Sequence, residues 1–181
     1  MQLIADAWSI AKELTMKKDS LLDRYLLAKF TVGMAIEFPI LIGGGIAGIV
    51  FSWPRLPFYP LPNILGVILL VIGYVIHLGY AHKELKKYSL QAHQHSMEVG
   101  TLVSSGPYSK VRHPGYLGLV LIYFGFALAF AVVWMLVPAV IFTILTYLTA
   151  MKEEELLKER FGKEFEEYAR RVPWRFIPKI V

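Results

Sequence analysis

The chain contains no cysteine. That excludes disulfides, a thiolate nucleophile and any cysteine-based metal site. Charge is also scarce: Asp, Glu, Lys and Arg make up 18% of residues, against 56% hydrophobic. What charge there is falls in blocks, and residues 114–151 carry none. That is the pattern of a membrane protein rather than of a soluble domain. No basic run interleaves with aromatics, so the net charge of +5 implies no nucleic-acid partner and is better explained by membrane topology. There is no internal repeat or low-complexity tract. His82, His93, His95 and His113 lack metal-ligand spacing and no His-Glu-x-x-His helix is present, so no metal is expected. Ser104 and Ser105 precede a glycine without a nucleophile-elbow pattern. The first twenty residues are amphipathic rather than continuously apolar, so no signal peptide is expected.

What is present predicts an all-α fold: a polytopic membrane helical bundle. About four transmembrane helices are expected, with an N-terminal interfacial helix and a C-terminal cytoplasmic helix. Leu3, Ile4, Ala7, Trp8, Ala11 and Leu14 recur at helical spacing, which suits a helix in the membrane interface or one packed on its own protein. Within one domain, 1–181, residues 1–29 form interfacial or cytoplasmic helices and 30–81 the first two spans. Residues 82–113 form a cytoplasmic loop, 114–151 a helical hairpin and 152–181 a cytoplasmic tail. The uncharged stretch would be roughly 55 Å long as one helix, far more than a bilayer needs, so it should fold back near residues 130–134. Eighteen of the nineteen Lys and Arg residues fall in the segments that four spans place together. Both termini and the central loop are therefore expected in the cytoplasm.

The densest polar cluster is Gly106-Pro107-Tyr108-Ser109-Lys110-Val111-Arg112-His113-Pro114-Gly115-Tyr116. Gly-Pro favours a turn. Pro114 biases His113 away from helical geometry and can open a helix itself. Arg112, His113 and Tyr116 then stand at the mouth of a helix, a setting that favours an anionic ligand. A helical hairpin sets its two ends side by side, so these residues should meet Glu153, Glu154 and Glu155. Such a site can bind a zwitterion; the alternative is a set of surface ion pairs worth about 0–1 kcal/mol each. Glu37 lies inside the first span, where a carboxylate is costly and marks a functional candidate. His77, at similar depth in the second span, is expected to meet Glu37 and line a polar-head site with it. Otherwise the two make structural hydrogen bonds.

These motifs resemble a known superfamily. Leu102-Val103-Ser104-Ser105-Gly106-Pro107-Tyr108, Arg112-His113-Pro114-Gly115-Tyr116-Leu117-Gly118, Glu153-Glu154-Glu155-Leu156-Leu157, Phe161-Gly162-Lys163-Glu164-Phe165 and Tyr168 are similar to the isoprenylcysteine carboxyl methyltransferase and phospholipid methyltransferase superfamily. The resemblance implies an integral membrane enzyme using S-adenosylmethionine, with a lipophilic or lipidated acceptor entering from the bilayer. It implies cofactor binding by His93, Thr101, Leu102, Val103, Gly106, Tyr108, His113, Gly115, Tyr116 and Glu153. Arg112, Glu154 and Glu37 are the candidate catalytic residues, and Glu37, His77 and Thr149 the candidate substrate-binding ones. Isoprenylcysteine relatives often carry Arg where this chain has Thr149, which departs from a prenylcysteine acceptor. The ending Val172-Pro173-Trp174-Arg175-Phe176-Ile177-Pro178 also resembles that of NADPH-dependent membrane sterol reductases. Gly115 and Leu119 depart from the reductase pattern. A non-catalytic scaffold is the third reading.

Overall fold

A computed structural model describes Lys29 and residues 33–89 and 100–180. The N-terminal interfacial helix and His93 lie outside the described residues. Among these residues the fold is all-helical and no strand forms. Helix α1 spans Met34–Val50 and α2 spans Leu61–Tyr74. The latter runs on through π-helical turns at Val75–His82 into α3, Lys83–Lys87. Helix α4 is Pro114–Phe130, α5 is Leu136–Phe161, and α6 is Lys163–Arg171. The continuous helices Leu61–Lys87 and Val133–Phe161 are long and apolar enough to cross a membrane; Met34–Val50 and Pro114–Phe130 are shorter apolar helices.

The hairpin forms as its length demands. Pro114 opens α4 after His113, whose backbone (φ −127°, ψ 62°) is non-helical. Ala131, at φ 51°, closes α4 in the left-handed region. A 3-10 turn at Val133–Met135 then starts α5. An isolated bridge between Arg55 and Val132 ties the α1–α2 linker to this turn. The second helix outruns its expected end near residue 81, because it carries its charged residues to Lys87 before stopping.

Helix α4 is the centre of the bundle. Its buried residues include Tyr116, Leu119, Ile122, Tyr123 and Ala127, and α1, α2 and α5 all pack against it. The α2–α4 contact is a glycine seam. A Cβ on Gly73 would come 2.7 Å from the Gly118 carbonyl oxygen, and one on Gly66 would fall within 2.1 Å of the Ala129 nitrogen. Missing side chains let the two backbones touch, as small residues do between membrane helices. The Gly43-Gly44-Gly45 run plays this part only in places. Gly45 lies against Phe130 and Gly44 against Met135, whereas a Cβ on Gly43 meets nothing within 4 Å.

Gly73→Val should therefore destabilise the protein by about 1–3 kcal/mol or more, the cost of overpacking against backbone. Gly43→Ala should be neutral or slightly stabilising. Thermal unfolding of both variants in detergent checks this; equal melting temperatures would contradict the seam.

Candidate functional site at the ends of the hairpin

Helices α4 and α5 run antiparallel, so the start of one lies beside the end of the apolar part of the other. Their side chains then close on each other. Tyr116 donates its hydroxyl to Glu153 Oε2 at 2.9 Å. Arg112 Nε donates to Glu154 Oε1 at 2.7 Å, and His113 Nε2 lies 3.1 Å from the same oxygen. His113 Nδ1 is 3.7 Å from Glu153 Oε2. The His113 and Tyr116 rings stack, with centroids 5.3 Å apart. Glu155, expected in this cluster, is not part of it: it is exposed and pairs with Lys152 at 3.2 Å. At about 100° per residue, one step along the helix turns it to the outer face.

The tail completes the cluster. Arg112 N–H donates to the Trp174 carbonyl at 2.9 Å and His113 N–H to that of Arg175 at 2.8 Å. Arg112 Nη1 donates to the Val172 carbonyl at 2.7 Å. Arg175 Nε reaches both oxygens of Glu154, at 3.2 and 3.1 Å. Phe176 packs against His113, Tyr116 and Tyr147 at centroid distances of 6.1, 6.5 and 5.9 Å. Helix α6 buries Phe165 and Tyr168 with Val172 against Leu102, Leu157 and Phe161. That pins Leu102 beneath the tail; Val103 is buried and Thr101 exposed.

The Tyr108 carbonyl accepts the Tyr168 hydroxyl at 2.8 Å. Burial raises both phenols above their ordinary range, so both stay neutral donors at neutral pH. Gly106 sits at φ +56°, and a Cβ there would strike Glu84 Cδ at 2.6 Å. Glu84 accepts from Ser105 Oγ at 2.6 Å and from Lys87 Nζ at 2.5 Å. The loop is thus fastened at one end by α3 and at the other by the tail.

The profile of the phospholipid methyltransferase family matches residues 61–164, more than half of the chain. The chain belongs to the phospholipid methyltransferase family. The match starts at α2, takes in the loop and hairpin described above, and ends just inside α6. Membership supports a membrane methyltransferase in general. Helix α1, with Glu37, and the Arg175–Phe176 tail lie outside the matched residues.

The remaining expected site residues are more dispersed than anticipated. Glu37 does not pair with His77. It forms an ion pair with Lys29 at 3.0 Å, both side chains being almost wholly buried, and accepts the Tyr123 hydroxyl at 2.5 Å. Lys29 Nζ also donates to Thr146 Oγ1 at 2.6 Å. His77 Nδ1 instead donates to the Gly115 carbonyl at 2.9 Å, and its ring lies 4.2 Å from that of His82. Helix α4 packs against both α1 and the π-helical turns, so equal depth does not bring the two side chains onto one face. Gly115 accordingly lies against His77 and Ala81. Thr149 is buried, and its hydroxyl bonds back to the Leu145 carbonyl at 2.8 Å.

The family match gives no account of the Lys29–Glu37 pair, and burial explains its energetics. Glu37→Leu alone should cost about 3–5 kcal/mol, because it strands a buried ammonium. Lys29→Met with Glu37→Leu should recover much of that loss. Denaturant or thermal unfolding of the two variants decides it, and a double variant no better than the single one would contradict this reading.

Proposed function

We propose that this chain is an integral membrane methyltransferase that moves a methyl group from S-adenosylmethionine to a lipophilic acceptor. Four spans put both termini and the site on the cytoplasmic side, and α1 and α4 are the two shorter crossings. The observation that carries the reading is the meeting of Arg112, His113 and Tyr116 with Glu153 and Glu154 in a member of the phospholipid methyltransferase family.

The residues present suit the cofactor. Glu153 is the more exposed of the two carboxylates, at 29% against 12% for Glu154. It stands beside the stacked His113 and Tyr116 rings, and an acid with aromatic faces favours a cationic sulfur. Thr101, Leu102, Val103, Gly106 and Tyr108 form the loop wall, with His93 on the segment leading to it. The cofactor supplies an already activated methyl group on a sulfonium. What the chain must add is positioning and exclusion of water. In this scheme Tyr116 orients Glu153 through its hydroxyl. Glu154 holds Arg112, His113 and the tail in place, so it is a positioning residue rather than one that touches the reacting atoms. The acceptor is a phospholipid amine or a prenylcysteine-like carboxylate. An amine must lose a proton to attack, whereas a carboxylate is ready at neutral pH.

Purified protein should bind S-adenosylmethionine saturably and NADPH not at all; saturable binding of NADPH alone would replace this reading with a reductase. Glu153→Ala should weaken cofactor affinity by about tenfold or more, some 1.4 kcal/mol, while the melting temperature stays near wild type. Glu154→Ala should lower the melting temperature, because it unties Arg112, His113 and Arg175 together. Calorimetric titration beside thermal unfolding separates the two roles. Equal effects of the two substitutions on both readouts would contradict the division.

A further inference from the structure

Arg175 lies outside the family match and, although Glu154 holds it, has been given no part in binding cofactor or acceptor. Its backbone is fixed, since its carbonyl accepts from His113 N–H at 2.8 Å and the next residue, Phe176, is buried among aromatics. Its side chain is only partly used. Nε is held by Glu154 at 3.1 and 3.2 Å. Nη1 reaches the Tyr147 hydroxyl at 3.5 Å, and the guanidinium carbon lies 5.9 Å from the Tyr147 ring centroid. Among the described residues, Nη2 has no acceptor. The side chain is 30% exposed, against 7% for Arg112. Arg112 is engaged at Nε and Nη1 by Glu154 and the Val172 carbonyl. Arg175 is thus the accessible guanidinium of the cluster.

Its depth tells what it meets. Glu154 lies just past the uncharged run and Tyr147 just inside it. The two are seven residues apart on α5, roughly 10 Å along the axis. A guanidinium touching both stands where a bilayer's headgroups begin, the level at which Tyr and Arg side chains gather. Beside it on the tail, Ile177 and Ile180 are exposed, Ile180 by 74%. Apolar side chains flanking a half-satisfied cation match a lipid surface with an anionic headgroup. A guanidinium with two N–H groups to spare suits paired anionic oxygens, and the phosphodiester is the group that supplies them in every phospholipid headgroup.

We propose that Arg175 is the anchor for the phosphodiester of the lipid acceptor, gripping it at headgroup level beside the methyl-transfer site. This deepens the methyltransferase reading and rests on it for the word acceptor. Glu154 and Tyr147 orient the guanidinium and leave its Nη2 edge turned to the lipid. Thr149, whose hydroxyl is committed to Leu145, contributes no competing anion donor.

The test is equilibrium binding of dihexanoyl phosphatidylethanolamine to the full chain in detergent, with dihexanoylglycerol as the phosphate-free control. S-adenosylmethionine is titrated in parallel. Wild type should prefer the phospholipid. Arg175→Gln should weaken phospholipid binding about tenfold while leaving the glycerol lipid and the cofactor within about twofold. Arg175→Lys, which keeps a point charge without the paired donors, should fall between. Three results overturn the proposal: Arg175→Gln binding the phospholipid like wild type, equal loss of both lipids, or displacement of the phospholipid by inorganic phosphate at equal concentration. Failure of wild type to bind S-adenosylmethionine counts instead against methyl transfer, and the lipid arm still judges the anchor.

Discussion

Glu154 is the joint of the structure. One carboxylate accepts from Arg112, His113 and Arg175, residues from the start of α4 and from the tail, while it sits itself on α5. No local rule brings those three segments together; the antiparallel return of the hairpin does. A charge shared in this way is strong only where water is largely excluded, and burial of Tyr116, Phe176 and Val172 around it provides that. The consequence for function is rigidity. The wall against which a cofactor is proposed to lie is also the clasp that holds the fold, so its neighbours Glu153, Tyr116 and Tyr108 are fixed before any ligand arrives.

The second constraint is the crowding of α4. Glycines let α2 touch it along one side, while Tyr123 reaches a buried Lys29–Glu37 pair on the other. Apolar contacts slide easily between helices; backbone-to-backbone contacts and a paired buried charge do not. These two contacts fix the rotation of α4 about its axis. Rotation decides whether Tyr116 and His113 face α5, and hence whether the polar cluster forms at all.

Much of this was legible in the sequence because it follows from length and charge. Residues 114–151 are too long and too uncharged to be one span, so a hairpin is required, and a hairpin places residues 112–116 beside 153–154. Proline at 114 marks where the helix opens. Partners across the bundle were not legible. Counting residues from the end of a span gives the depth of Glu37 and His77 but not the face each occupies, and α4 stands between them. Lys29 read as a charge of the cytoplasmic edge, yet it is buried against Glu37. Glu84 fell in the stretch expected to be a loop, yet it sits on a helix and Gly106 packs on it. Arg175 and Phe176 read only as a family-like ending; their place beside α5 depends on how the tail folds back. Glu155 shows the reverse error, a residue grouped by sequence adjacency that helical rotation separates.

The central claim is that the two ends of the uncharged hairpin lie together at one surface. The absence of native cysteine makes this directly measurable with spin labels at Ser109→Cys and Glu155→Cys, both exposed, by pulsed electron double resonance in lipid nanodiscs. The account predicts one narrow distance distribution below about 30 Å, the thickness of a hydrocarbon core. A distribution centred beyond that thickness would place the ends on opposite sides of the bilayer and contradict it.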